Sequence, residues 1–272
     1  MLATPSPAPT LAWDRINTAL RQYERDHANS GLLPELLERL PRVIAASGAA
    51  STTRRMVQRI GRTLLDTGLA PTILAPTCPD YSHRDGRYTC TSVHGGTPLL
   101  AHRHIDFLDR VTESLPRARV VFLLADQEAD DPVICRVCRV EPEEFRRRVE
   151  QSILATREAV ERRGWQAEAM TRYVPHFRHQ STNAAREIAA DSRLRGRLAS
   201  ESDQRSRLYA LLDPSMTTQE AETRTARTAG QYVALGTFAA ERDMLICNHS
   251  TTNLGWYNNV GTAVLHHPID LY

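Results

Sequence analysis

The chain reads as a single α/β domain, a Rossmann-like three-layer fold with a mainly parallel sheet and additional N-terminal helices. Three observations lead there. Residues 119–125, RVVFLLA, are almost unbroken in apolar character, the pattern of a strand covered on both faces. Shorter runs of strand character stand at 71–76, 166–171 and 243–248. The segments between them are long enough for helices and carry apolar residues three and four apart, so strand and helix alternate as a parallel sheet requires.

Taken in order, residues 1–10 form a Pro-rich polar arm outside the fold. Residues 11–68 hold the N-terminal helices, with helical patterns at 13–26, 34–46 and 53–66. In the last of these, Met56, Ile60 and Leu64 recur every four residues, and Gly68 ends it. Residues 71–272 are the Rossmann-like core. The run at 71–76 is short, partly β-branched and bounded by proline, which makes it the first strand. Strands at 119–125, 166–171 and 243–248 follow, with an edge strand at 263–266. A helix starts at Thr97-Pro98, a capping residue and then proline at the first helical position, and lines up Leu100, His104, Leu108, Val111 and Leu115. The next, over 141–163, turns Phe145, Val149, Ile153 and Val160 inward. An Arg-rich helix over 183–212 is broken by Asp213-Pro214, and Thr217-x-x-Glu220 forms a capping box for a last long helix ending near 241.

Composition removes several chemistries. The chain has 272 residues, 41% of them hydrophobic and 24% charged, enough for one full core. It contains no lysine, so a Schiff-base lysine, a P-loop lysine and a lysine general base are all excluded. The net charge of +2 is carried by arginine, which suits phosphate and carboxylate. Apolar runs are of strand length, and no charged segment followed by an apolar one opens the chain, so the expected setting is the cytoplasm without a membrane. Five cysteines are then expected to be reduced thiols; Cys135 and Cys138 have zinc-ligand spacing but no second close pair, and neither metal nor cofactor is expected.

In an open parallel sheet, ligands bind outside the carboxyl ends of the strands. That rule selects Cys78, Asp80 and Tyr81 after the first strand, Asp126 and Glu128 after the second, and the segment 248–259, NHSTTNLGWYNN, after the fourth. Within that segment, read as a loop, Asn248, Thr251, Asn253 and Asn258 would contact a polar substrate while Trp256 and Tyr257 supply apolar walls; otherwise it is a turn satisfied by its own side chains. His94, Gly95 and Gly96 lead into a helix N-terminus, where a phosphate or carboxylate would fit, or form a plain loop. Cys78 stands where a nucleophile is useful, with His94 or His249 as its base; the alternative is an inert core thiol. Asp126 or Glu128 would meet a substrate amine or ribose. His104 falls on an apolar stripe and reads as a core histidine. Arg146, Arg147, Arg148 and Arg195 lie on Arg-rich helices that are either salt-bridged faces or a basic surface for RNA phosphates.

A small Rossmann-like domain without an ATP signature, with an Arg-rich helix and a polar pocket at the strand ends, resembles the tRNA-dependent cyclodipeptide synthases over roughly residues 71–272. The resemblance is one of organisation. It implies a fold similar to the catalytic domain of class I aminoacyl-tRNA synthetases and an aminoacyl group taken from charged tRNA by a serine after a glycine near the first strand, a place that here holds Thr77, Cys78 and, farther on, Ser82. The family's late helix carries Tyr, three residues, Glu, then Pro; here Tyr232 matches, Gly236 stands in place of Glu, and Phe238 in place of Pro. On this resemblance the chain is a tRNA-dependent aminoacyl-transfer enzyme of specialised metabolism that forms amide bonds, with Cys78, Tyr232 and His249 in catalytic roles and aminoacyl-tRNA as partner. Two other classes stay open: a small-molecule transferase or lyase using the same pocket without RNA, and a non-catalytic binding protein for an amino acid or related polar compound.

Overall fold

The computed structural model describes Arg59 and residues 71–78, 82–84, 87–89, 94–115 and 118–266. The arm at 1–10 and the helices expected over 13–66, Arg59 apart, lie outside the described residues, as do Asp80, Tyr81 and Cys90.

Five strands form one sheet: β1 (Thr72–Thr77), β4 (Arg119–Leu124), β5 (Gln166–Ala169), β6 (Leu245–Asn248) and β7 (Ala263–His266). Every pairing is parallel, and the order is β5-β4-β1-β6-β7. β2 (Ser82–Arg84) and β3 (Arg87–Thr89) pair antiparallel as a separate two-stranded sheet. The helices are α1 (Leu99–Ser114), α2 (Pro132–Cys138), α3 (Pro142–Glu161), α4 (Met170–Tyr173), α5 (Phe177–Ala190), α6 (Arg195–Leu212), α7 (Thr218–Glu241) and α8 (Thr251–Asn259), with a 3-10 turn over Asp126–Asp130. Among the described residues no helix is long and apolar enough to cross a membrane.

The side-chain alternation of β4 separates the layers. Val120, Phe122 and Leu124 join Ile73, Ala75, Leu245 and Cys247 in a cluster with α1 and α3. Val121 and Leu123 join Leu74, Ile246 and Val264 against α5, α7 and α8. Connections before β5 thus use one face of the sheet and those after it use the other, so the strand order reverses between β1 and β6. Such a reversal opens a crevice above the carboxyl ends of the two strands.

Several boundaries differ from the sequence-based expectation. The third strand stops at Ala169 and the chain turns into α4 at Met170. The Arg-rich segment 183–212 is two helices rather than one: Asp191 ends α5, and its carboxylate accepts from the Arg193 backbone N–H (2.8 Å) to shape the turn before α6. The capping box at Thr217 and Glu220 is present in full. α1 begins at Leu99 with Pro98 in the N-cap position and no side-chain cap, whereas Asp131 caps α2 by accepting from the Val133 N–H at 3.0 Å.

α5 and α7 meet backbone to backbone at Gly230, where an added Cβ would stand 2.3 Å from the Ser181 carbonyl oxygen and 2.7 Å from the Ala185 nitrogen. Glycine to alanine in a helix interior ordinarily stabilises by about 1 kcal/mol. Here the sign should reverse: Gly230→Ala is expected to lose about 1–3 kcal/mol through overpacking. Urea denaturation checks it, and a variant as stable as the parent would refute the close approach.

Candidate active site

β1 delivers two side chains to the crevice edge. Thr77 is 1% exposed and its Oγ1 donates to the Ala75 carbonyl (3.1 Å), so it belongs to the strand and the α1 face. The next residue, Cys78, is half-buried and lies on the side of Tyr232 and Tyr257. Burial pushes both phenols above their ordinary range, and charge on Cys78 would oppose their ionisation further. The two rings pack edge to face with centroids 5.5 Å apart. Tyr257 is fully buried, and its hydroxyl has no hydrogen-bond partner among the described residues.

Tyr257 reaches this position because α7 has no side chain at 236. A Cβ on Gly236 would stand 2.7 Å from Thr262 Oγ1, 2.8 Å from Val260 Cγ2 and 3.1 Å from Tyr257 Cδ1. A glutamate at 236 therefore has no room, and the Tyr257 ring lies where its stem would begin.

The β4 side of the crevice is an ionic wall. Arg224 of α7, 6% exposed, donates to Glu128 and stands 3.1 Å from Asp131, which Arg227 also reaches at 3.2 Å. Asp126 accepts from the Thr171 backbone N–H (3.0 Å) and from its hydroxyl. Both acids expected to hold a substrate amine or ribose thus already have protein partners. Sequence reasoning overlooked Arg224, although an arginine on the apolar stripe of α7, between Ala221 and Thr228, was a readable sign of a buried ion pair.

On the other side, burial pushes the Cys247 thiol up, so it stays protonated and can donate to His104 Nδ1 at 3.3 Å. His104 is fully buried, and the partly buried His249 packs edge-on against it at 5.7 Å between centroids. His249 is therefore seated beside α1, and Cys78 beside α7 and α8. Asn248 donates to the Ser250 carbonyl (2.7 Å) and contacts His266 Nδ1 (3.3 Å), whose protonation burial disfavours.

The segment 248–259 is not a loop: from Thr251 onward it is α8, with Ser250 as N-cap. Trp256 is consequently no pocket wall. It is fully buried with Ile188 and Ala229, its Nε1 donates to Glu201 (3.0 Å), and the Arg197 guanidinium lies 3.9 Å above its ring. Asn253 is buried, with its backbone N–H on Ser250 Oγ, and Asn258 is half-buried; nothing is described of the Thr251 side chain.

His94 is exposed, and Gly95 has φ +79° with its missing Cβ 2.4 Å from Gln151 Oε1, so the turn is packed against α3; Gly96 has open space. Of the basic residues, Arg146 bonds Asp130 (3.0 Å), and Arg147 and Arg148 both bond Glu144 (2.6 Å each). That pairing holds the Glu144 carboxyl down at about 2. Arg195 is exposed, with no carboxylate partner among the described residues. No group of three or more His, Cys, Asp or Glu among the described residues could hold a metal ion.

No family model matches the chain, and no curated protein matches it. Among solved structures, it is similar to a cyclodipeptide synthase from Bacillus thermoamylovorans, at 13% identity and a TM-score of 0.46, over 76% of this chain and 86% of that one.

Proposed function

We propose that the chain is an acyl-transfer enzyme that takes an aminoacyl group from aminoacyl-tRNA onto Cys78 and passes it to an amine, forming an amide. The observation that carries this reading is the placement of Cys78: a half-buried thiol directly after β1, where the strand order reverses. Thr77 cannot replace it, because its hydroxyl is buried in the strand.

In the first step the Cys78 sulfur attacks the ester carbonyl carbon, the bond to the ribose oxygen breaks, and the proton lost by the thiol ends on that oxygen. In the second, the amine attacks the thioester carbon, the carbon–sulfur bond breaks, and the amine proton returns to sulfur. No oxidant or cofactor is needed for this balance. Tyr232, kept protonated by burial, donates to the carbonyl oxygen as negative charge develops there. Arg195 contributes to the RNA contact, which weakens as salt rises.

One observation favours a small-molecule acyl donor instead. Arg146, Arg147 and Arg148 are engaged by Asp130 and Glu144, which reduces the positive surface they offer to RNA. The two readings separate by experiment. Incubation with charged tRNA, acid quench and mass mapping should find the aminoacyl group on the Cys78 peptide, cleavable by hydroxylamine and absent after ribonuclease treatment. If no charged tRNA labels Cys78, RNA-dependent transfer is discarded; labelling that survives ribonuclease points to the small-molecule donor.

A further inference from the structure

The strand register sorts the residues at the carboxyl edge of the sheet by face. Thr77, Leu124 and Ala169 stand side by side across β1, β4 and β5, and Leu124 and Ala169 belong to the cluster of α1 and α3. The next rank, one residue on, is Cys78, Ala125 and Met170, and the ladder still holds there, since the Ala125 N–H donates to the Thr77 carbonyl at 3.0 Å. Ala125 and Met170 belong to the cluster on the side of α5, α7 and α8, so Cys78, third in that rank, falls on the same face. Two strand spacings, about 10 Å, separate Cys78 from Met170, and the side chain between them is the Ala125 methyl group.

Gln127, in the turn after β4, brings its amide to this rank. It is 8% exposed, and its Nε2 donates to Met170 Sδ at 3.9 Å. A thioether sulfur only accepts, so the NH2 end of the amide faces it and the carbonyl end is turned away. That Oε1 is buried and has no hydrogen-bond partner among the described residues. Its chain neighbours differ, for Asp126 accepts from Thr171 and Glu128 from Arg224. A buried acceptor left open destabilises a fold, and a ligand that donates to it removes the cost.

We infer that Gln127 holds the amine of the transferred acyl group, its Oε1 accepting a hydrogen bond from the α-ammonium while Cys78 meets the carbonyl carbon. The open group is an acceptor, so its ligand has to be a donor. An aminoacyl group carries such a donor beside its carbonyl whatever its side chain. An amide oxygen accepts from the cation in a charge-assisted bond without burying a second charge. The identity of that ligand rests on the acyl-transfer reading.

The test uses two small esters that differ only in the amine, the p-nitrophenyl esters of alanine and of propanoic acid. Acylation of Cys78 by each is timed by acid quench and peptide mass mapping. The alanyl ester is intrinsically the more reactive, so the quantity read is the ratio of the two rates in Gln127→Met divided by that ratio in the parent. Methionine matches glutamine in length but lacks the acceptor, and the ratio should fall about tenfold, the scale of one hydrogen bond to a charged group. Because the substitution removes an open acceptor, Gln127→Met should melt at or above the parent's temperature. An unchanged ratio, an equal slowing of both esters, or no labelling of Cys78 by the alanyl ester in the parent would overturn the assignment. So would a lower melting temperature, since Oε1 would then be satisfied within the fold. If the ratio falls while charged tRNA fails to label Cys78, RNA-dependent transfer is discarded and the amine site stands; with tRNA labelling intact and the ratio unchanged, the amine site alone falls.

Discussion

Arg224→Met is expected to destabilise the protein by about 3–5 kcal/mol, the usual cost of removing one partner from a buried ion pair. The side chains concerned are Arg224 at 6% exposure, Glu128 at 9% and Asp131 at 4%. Asp131 would survive the change in part, since Arg227 and the Val133 N–H remain on it. Glu128 would not, because Arg224 is its partner in the wall and water has little access. The loss therefore sits in the uncompensated Glu128 charge rather than in the missing guanidinium stem. That separates this account from plain cavity formation: adding Glu128→Gln to Arg224→Met should recover about 1–3 kcal/mol, the range for coupled buried neighbours. Urea denaturation of the parent, both single variants and the double variant measures the coupling. A single variant within 1 kcal/mol of the parent, or a double variant no better than the single, would show that this wall does not depend on its charges.

The sheet was legible in the sequence because its strands are buried on both faces. The run at β4 and the shorter runs at β1 and β6 cannot sit on a half-solvated sheet without losing their apolar cover. Local chemistry was a less even guide. Thr97-Pro98 and Asp131-Pro132 both carry a capping residue followed by proline. Only Asp131 caps its helix, since Pro98 itself occupies the N-cap of α1. The pattern at Asp131 announces α2, and Asp85-Gly86, a strong two-residue hairpin signal, lies between β2 and β3 in the sequence. The break at Asp191 was hidden for a different reason: the residues on both sides are good helix formers, and the turn depends on one carboxylate meeting the Arg193 backbone.

The site was legible only to the level of the strand ends. That rule brought Cys78 and His249 to adjacent central strands, but it carries no information about faces. The packing of Tyr232 on Tyr257, and of His104 on His249, depends on contacts between residues far apart in sequence. Polar density misled most at 248–259. There the Asn, Ser and Thr residues cap and flank a helix whose Trp256 and Tyr257 are core.

Cys78→Ala should lower turnover on the order of 10³-fold or more, the scale of deleting the nucleophile of a covalent catalyst, while leaving the fold intact. Among the four described cysteines only Cys78 is partly exposed; Cys135, Cys138 and Cys247 are buried. Accessible thiols react as thiolates, and even a small thiolate fraction at neutral pH is strongly nucleophilic, so chemistry should concentrate at this position. Cys138→Ala, on α2 within the cluster of the α1 and α3 face, serves as the control: it should soften the core slightly without touching turnover. Cys78→Ser is the more discriminating variant. Its hydroxyl fits the same space but is a far weaker attacker, so an acyl-enzyme should form slowly and as an oxygen ester that resists hydroxylamine better than the thioester does. Stopped time courses with mass detection follow both the rate and the type of bond. If Cys78→Ala turned over at the parental rate, amide formation would have to proceed by direct attack of the amine on the bound ester. Cys78 would then be a wall of the crevice, and catalysis would fall to the Tyr232 hydroxyl.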